Sequence, residues 1–192
     1  MSGMNKKTGA VFLDRDGTIN EEVAYLDSLE KLKIFPAAFD AVRMINEAGM
    51  KVVVVTNQSG VARGFFDETF VETVHEHMRA TFEKSGAFID RFYYCPHHPT
   101  EGIGRYRMFC GCRKPEPGML LQASDDLDID LTASYMVGDT AKDMEVANRC
   151  GARGILVKTG YGKEVAPVEI RAAYIAEDIL HAARWILEDR NG

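Results

Sequence analysis

No stretch of this 192-residue chain stays apolar over a membrane-spanning length, and its opening, MSGMNKKTGA, lacks the apolar run of a secretory leader. A soluble, cytoplasmic protein is therefore expected, with residues 1–9 as a flexible tail. Basic charge is also in short supply: 23 Lys and Arg stand against 29 Asp and Glu, a formal net charge of −6. That balance argues against a nucleic-acid binder relying on a broad basic face, and no aromatic-basic stripe is present. Cysteine is scarce, but Cys95, Cys110 and Cys112 fall within 18 residues of one another. In a reducing compartment such a cluster favours metal binding or redox chemistry over a disulfide framework. Repeats, low-complexity segments and long linkers are lacking too, so one domain (residues 1–192) is expected.

What is there is alternation. Short apolar runs rich in Val, Ile, Phe and Tyr at 10–13, 52–55, 88–94, 134–137 and 154–157 read as buried strands. Between them lie helical patterns: one after Pro36, stopped by Gly49, and one capped by Asp67 with Phe70, Val74, Met78 and Phe82 inward. Further helices are expected over 117–127, 141–150 and 168–189. The fold class is α/β, a Rossmann-like, mostly parallel sheet with helices on both faces. Ligands of such sheets bind beyond the carboxyl ends of the strands. Asp14, Thr56, Cys95 and Asp139 each come directly after an apolar run.

VFLDRDGTIN (11–20) ends a strand with two aspartates. With period-two alternation Asp14 and Asp16 share a face if the strand runs on, and like charges that close need a compensating cation. An EF-hand loop is excluded, because its fifth, sixth and twelfth positions would be Thr18, Ile19 and Tyr25. A pair of surface aspartates opening a glycine turn remains an alternative. VVVVTNQSG (52–60) puts Thr56, Asn57, Gln58 and Ser59 at the next strand's end, as in an anion-binding turn or an ordinary strand-to-helix connection. MVGDTAKD (136–143) supplies Asp139, with Asp143 one helical turn later; the bland account is a helix cap and a solvated carboxylate. CRKPEPG (112–118) holds Arg113 and Lys114 between stiffening prolines, either a solvated pair or a clamp for phosphoryl oxygens.

In order and spacing these four segments resemble the haloacid dehalogenase-like (HAD-like) phosphatases, from about Val11 to Lys158. The resemblance implies an aspartyl-phosphate mechanism: Asp14 as nucleophile, and Asp16 as general acid and then base. Mg2+ would sit on Asp14, Asp139 and the backbone carbonyl of Asp16, with Thr56 and Lys114 on the phosphoryl oxygens. Neither position where this superfamily inserts a large cap has room for one.

Cys95-x-His97 and Cys110-x-Cys112 offer four soft or borderline ligands, the number a closed Zn2+ site takes, with His98 as rival to His97 and chance cysteines as the alternative. CPHHP, CxCRKP and SYMVGD together resemble the D-glycero-D-manno-heptose 1,7-bisphosphate 7-phosphatases and their histidinol-phosphate phosphatase relatives. That resemblance implies structural zinc on Cys95, His97, Cys110 and Cys112 in a loop over 95–118, and a sugar-phosphate substrate in heptose precursor synthesis for surface polysaccharide. Thr140 stands where many relatives carry Lys or Arg, and Lys142, two helical positions on, would point about 200° away. Selectivity would fall to loop residues such as Asn20, Glu21, Glu22, Arg63, Arg105 and Arg107. A monomer is expected. The other readings are a histidinol-phosphate phosphatase, a nucleic-acid 3′-phosphatase and a non-catalytic zinc-stabilised binding module. Cys150 is expected inside a helix, His75, His77 and His181 on the surface, and Trp185 in the stripe of the last helix. GYGKE (160–164) lacks the spacing and hydroxyl of a Walker loop.

Overall fold

The computed structural model describes residues 7–165 and 170–191. Six parallel strands form one sheet: β1 (Ala10–Leu13), β2 (Lys51–Asn57), β3 (Arg91–Cys95), β4 (Tyr135–Gly138), β5 (Arg153–Val157) and β6 (Tyr174–Ala176). Their order is β3-β2-β1-β4-β5-β6. The helices are α1 (Pro36–Glu47), α2 (Gly60–Arg63), α3 (Glu68–Lys84), α4 (Gly118–Leu127), α5 (Ala141–Cys150) and α6 (Ile179–Asn191).

The strands are apolar on both sides because both sides are covered. Val11, Leu13, Val52 and Val54 face one core, shared with α1, α3 and α6 through Val42, Ile45, Met78, Phe82, Ala182 and Ile186. Ala10, Phe12, Val53 and Val55 face the other, against Met119, Leu120 and Ala123 of α4 and Val146 and Ala147 of α5. Fully burying each Val or Leu contributes roughly 1.5–3 kcal/mol, and alternation along the strand divides that gain between two layers. Pro36 opens α1 at a position that needs no N–H. The Asp67 carboxylate accepts the Phe70 N–H at 2.8 Å to cap α3, a contact worth about 1 kcal/mol.

Two expectations need correction. The span 168–189 is not one helix: residues 168 and 169 lie outside the described residues, β6 occupies 174–176, and α6 starts only at Ile179. The edge strand escaped notice because YIA, three residues long, is too short to show a period. Of the expected tail, residues 1–6 lie outside the described residues, while Thr8 is bridged to Ile129. Among the described residues there is no separate cap domain and no helix long and apolar enough to cross a membrane.

The chain builds β1, β2 and β3 outward in one direction, then returns to lay β4 on the other flank of β1. That reversal opens a crevice beyond the carboxyl ends of β1 and β4, where Asp14 and Asp139 emerge.

Candidate active site

A cavity of about 160 Å³ at this crevice is lined by Asp14, Asp16, Thr56, Lys114 and Asp139, among others. Asp14 directly follows β1, its N–H still bonded to the Val137 carbonyl at 2.9 Å, so its side chain is registered against β4. Its Oδ1 accepts the Arg15 N–H at 2.8 Å and lies 2.9 Å from Lys114 Nζ. Lys114 in turn contacts Asp143 Oδ1 at 2.6 Å. Burial disfavours the Lys114 charge, but the two carboxylates outweigh it and hold its pKa above the ordinary lysine value.

Asp16 lies beyond the strand, in the turn that Gly17 makes possible with φ +79°. Its carboxylate is gripped from several sides: Arg15 donates to Oδ2 at 2.8 Å and to Oδ1 at 3.1 and 3.2 Å, Asn20 to Oδ1 at 2.9 Å, and Gln58 to Oδ2 at 2.9 Å. Burial pushes against ionisation, yet the Arg15 charge and these donors prevail and hold Asp16 below its usual pKa. Asp14 and Asp139 go the other way. Burial first, opposed for Asp14 by Lys114, pushes Asp14 up to about 7. Burial and then the Asp14 charge push Asp139 up to about 8.

Such a pair fits a divalent cation. The Asp14, Asp139 and Asp143 carboxylates bring oxygens within 4.8 Å of one another. Asp139 Oδ2 takes the Tyr161 N–H at 2.8 Å, while its buried Oδ1 has no hydrogen-bond partner. Asp143 is already committed, to Lys114 through Oδ1 and to the Thr140 N–H and hydroxyl through Oδ2 at 3.1 and 2.6 Å. The oxygens left for Mg2+, a hard cation, are therefore those of Asp14 and Asp139.

The turn after β2 faces the cavity, with two of its side chains already engaged. Thr56, Asn57, Gln58 and Ser59 all line the cavity. However, the Asn57 amide makes two bonds to the Lys114 backbone, at 3.0 and 3.1 Å, and Gln58 bonds Asp16 and the Thr56 hydroxyl. Asn57 and Gln58 thus place other site residues. Asn20, a candidate for selectivity, is wholly buried on Asp16. Glu22 lines the cavity, and so do Arg113, Thr140 and Lys142. Thr140 has extended backbone (φ −124°, ψ 158°) as the N-cap of α5, so the 200° separation expected from helix geometry does not apply to Lys142. Glu21 faces Lys33, Arg63 pairs with Glu101 and Arg105 with Glu68; none of the three, nor Arg107, lines the cavity.

Cys95 closes β3, and its neighbours in the cluster arrive from the following loop. The three sulfurs are 3.0, 3.4 and 3.5 Å apart, and His97 Nδ1 is 3.7 Å from Cys95 and 3.4 Å from Cys112. A tetrahedron with Zn–S bonds of about 2.3 Å has edges of roughly 3.8 Å, so the donor set fits Zn2+ with a small outward shift. His98 is occupied elsewhere, its Nδ1 accepting the Glu101 N–H at 2.9 Å. The hydrogen bond between Cys112 and Cys95 lowers the pKa of the first and raises that of the second, and both would give up their protons to a bound metal.

His75 is buried, not on the surface: its ring stacks on Phe92 at 4.7 Å and its Nε2 faces Arg15 Nη1 at 3.5 Å. The helical stripe Val71, Val74, Met78 and Phe82 brackets it and was the available signal. Tyr161, another cavity residue, sits in a GYG turn whose composition by itself suggests nothing but a failed Walker loop. The rule that ligands gather after strands covers it, since the turn follows β5.

The HAD-hydrolase-like family matches residues 111–182. D-glycero-beta-D-manno-heptose-1,7-bisphosphate 7-phosphatase of Escherichia coli K12 is 45% identical over 186 residues, covering 96% of this chain and 91% of that protein. The chain belongs to the heptose bisphosphate phosphatase family of HAD-like hydrolases. A heptose bisphosphate phosphatase of Thermosynechococcus vestitus is 42% identical over 185 residues, with 92% and 94% covered. Among solved structures, the family member from B. bronchiseptica, described as a complex with magnesium and phosphate, superimposes with a TM-score of 0.81 at 32% identity, covering 95% of this chain and 99% of its own. The similarity thus extends over nearly the whole chain, not one motif alone.

Proposed function

We propose that this chain is a Mg2+-dependent phosphatase, acting as one domain, that removes the 7-phosphate of D-glycero-D-manno-heptose 1,7-bisphosphate in heptose precursor synthesis. The observation that carries it is Asp14 set beside Lys114 and Asp139 at the switch point of a sheet whose sequence is 45% identical to such an enzyme over nearly its full length. The substrate is a small sugar phosphate, and the compartment is the cytoplasm.

In this reading an Asp14 oxygen attacks phosphorus in line as the bond to the sugar oxygen breaks, and Asp16 gives that oxygen its proton. Water then attacks the aspartyl phosphate, Asp16 takes the proton, and phosphate leaves with Asp14 restored. Lys114 Nζ pins Asp14 Oδ1 and leaves Oδ2 to be aimed. Bound Mg2+, held by Asp14, Asp139 and the Asp16 carbonyl, supplies positive charge against the carboxylates and phosphoryl oxygens. Asp16 is held as an anion at rest, so the proton it donates comes from solvent, or from the water of the preceding turnover, and is taken up as a phosphoryl group brings like charge beside it. The second phosphate of the substrate meets Arg113 and Lys142, the cations at the cavity not bound up with Asp14.

The test is product analysis with Mg2+ present. Phosphate should leave carbon 7 while the anomeric phosphate stays, and kcat/KM should exceed that for histidinol phosphate by at least ~100-fold, about 2.7 kcal/mol. Asp14→Asn should abolish turnover. A reversed preference overturns the substrate, and full activity in Asp14→Asn overturns the mechanism.

A further inference from the structure

The turn after β5 is built into the reacting centre. Gly160 has φ +50°, and a side chain there would place its first carbon 2.1 Å from Asp139 Oδ2 and 2.6 Å from Gly17 Cα. One at Gly162 would meet the Val157 carbonyl oxygen at 1.8 Å. The Thr159 hydroxyl donates to the Gly17 carbonyl at 2.5 Å, and the Tyr161 N–H donates to Asp139 at 2.8 Å. The residue between the two glycines is therefore fixed in position relative to Asp139 and the loop of the nucleophile. It lines the same cavity as Asp14 and is 47% exposed.

Tyr161 does not stand alone. Glu22 lines the same cavity, so the two residues border one opening. Glu22 is braced by the Ala24 N–H, in a turn whose Ala24 adopts φ +60°. Tyr25 also lines the cavity, packed edge-on against Phe65 at 4.6 Å. This part of the mouth thus presents a carboxylate acceptor, a phenol that donates or accepts, and aromatic surface. A phosphate would be repelled by Glu22, and Arg113 and Lys142 are the cations available to it. What suits an acceptor, a hydroxyl and ring surface together is a polyhydroxylated carbon chain, with its OH groups on the polar atoms and its C–H groups on the ring.

We propose that Tyr161 and Glu22 form a hydroxyl-recognition subsite that selects phosphate esters of polyols. The inference rests on the sugar-phosphatase reading of the site and assigns residues to the part of the substrate that does not react. The backbone N–H of Tyr161 holds Asp139 whatever side chain it carries, so the side chain can be altered without removing that bond.

Tyr161→Phe, Tyr161→Ala and Glu22→Gln are compared with the unaltered protein on the heptose bisphosphate, on other sugar phosphates and on p-nitrophenyl phosphate, which has no polyol. In each variant the ratio of kcat/KM for sugar phosphates to that for the aryl ester should fall at least ~10-fold, through KM more than kcat, with Tyr161→Ala lowest. An equal loss on both substrate kinds, or no loss, overturns the subsite. If the unaltered protein ignores the heptose bisphosphate but hydrolyses another sugar phosphate, and the ratio still falls, the subsite stands and the heptose assignment fails.

Discussion

Lys114 Nζ lies 2.6 Å from Asp143 Oδ1, with side chains 3% and 0% exposed. Neither charge has water to fall back on, so each is stable only because of the other and of Asp14. Asp143, which invites reading as a solvated carboxylate, is instead what keeps the buried Lys114 charged and still. Asp143→Asn should cost roughly 3 kcal/mol of stability, as removal of one partner of a buried pair does, and should weaken inhibition by inorganic phosphate. Thermal unfolding and inhibition constants measure the two effects, and an unchanged melting point with unchanged inhibition contradicts the coupling.

Metal analysis should find about one zinc per chain, bound by three thiolates and one imidazole. Arg113 and Lys114 follow Cys112 directly, and Arg113 also donates to the His97 carbonyl at 3.1 Å. Cys110→Ser should therefore lower zinc content, melting temperature and substrate affinity together while Asp14 stays in place. Intact zinc occupancy and melting in that variant would show that the four residues are not the ligands.

His75 provides a pH test. Burial first, then the charges of Arg15 and Arg79, with Asp16 opposing, bring its pKa from 6.5 down to about 3. Between those values the unfolded chain holds a proton that the native protein does not, so this group makes stability rise with pH. The component is lost as pH falls from about 6.5 toward 3, by at most about 1.4 kcal/mol per pH unit. Urea unfolding of the unaltered protein and His75→Gln, compared between pH 7 and 4.5, should show a shallower pH slope in the variant. Coincident slopes would place His75 in contact with solvent.

Much of this was legible because strands and their ends are marked by composition. The runs before Asp14, Thr56 and Asp139 are apolar and β-branched, and both cores demand that, so the positions of the three residues followed. The gathering of Cys95, His97, Cys110 and Cys112 was legible because Cys-x-His and Cys-x-Cys stand so close together in the sequence. Three things were hidden. The burial of Arg15 depends on His75 and Asp16 enclosing it, a contact across 60 residues that no local pattern records. The commitment of Asn57 to the Lys114 backbone depends on where β3 delivers the loop bearing Lys114, and that of Gln58 on Asp16 reaching it across 42 residues. The distance of Arg105 from the cavity follows from its pairing with Glu68 on α3, which its place in a loop after a strand does not reveal.

The strand order β2-β1-β4 has a consequence for how such proteins diverge. Thr56, Asp14 and Asp139 ride on three neighbouring strands, so their separations are set by the interstrand spacing of about 4.8 Å, a constant of backbone hydrogen bonding that no side-chain substitution can retune. Inheritance therefore treats the centre and its mouth differently. The reacting groups keep their spacing for as long as the sheet exists, while the side chains of Glu22, of Lys142 on α5 and of Tyr161 can be exchanged without moving them. New substrates among descendants of this fold should arise by exchange of those side chains over an unaltered core.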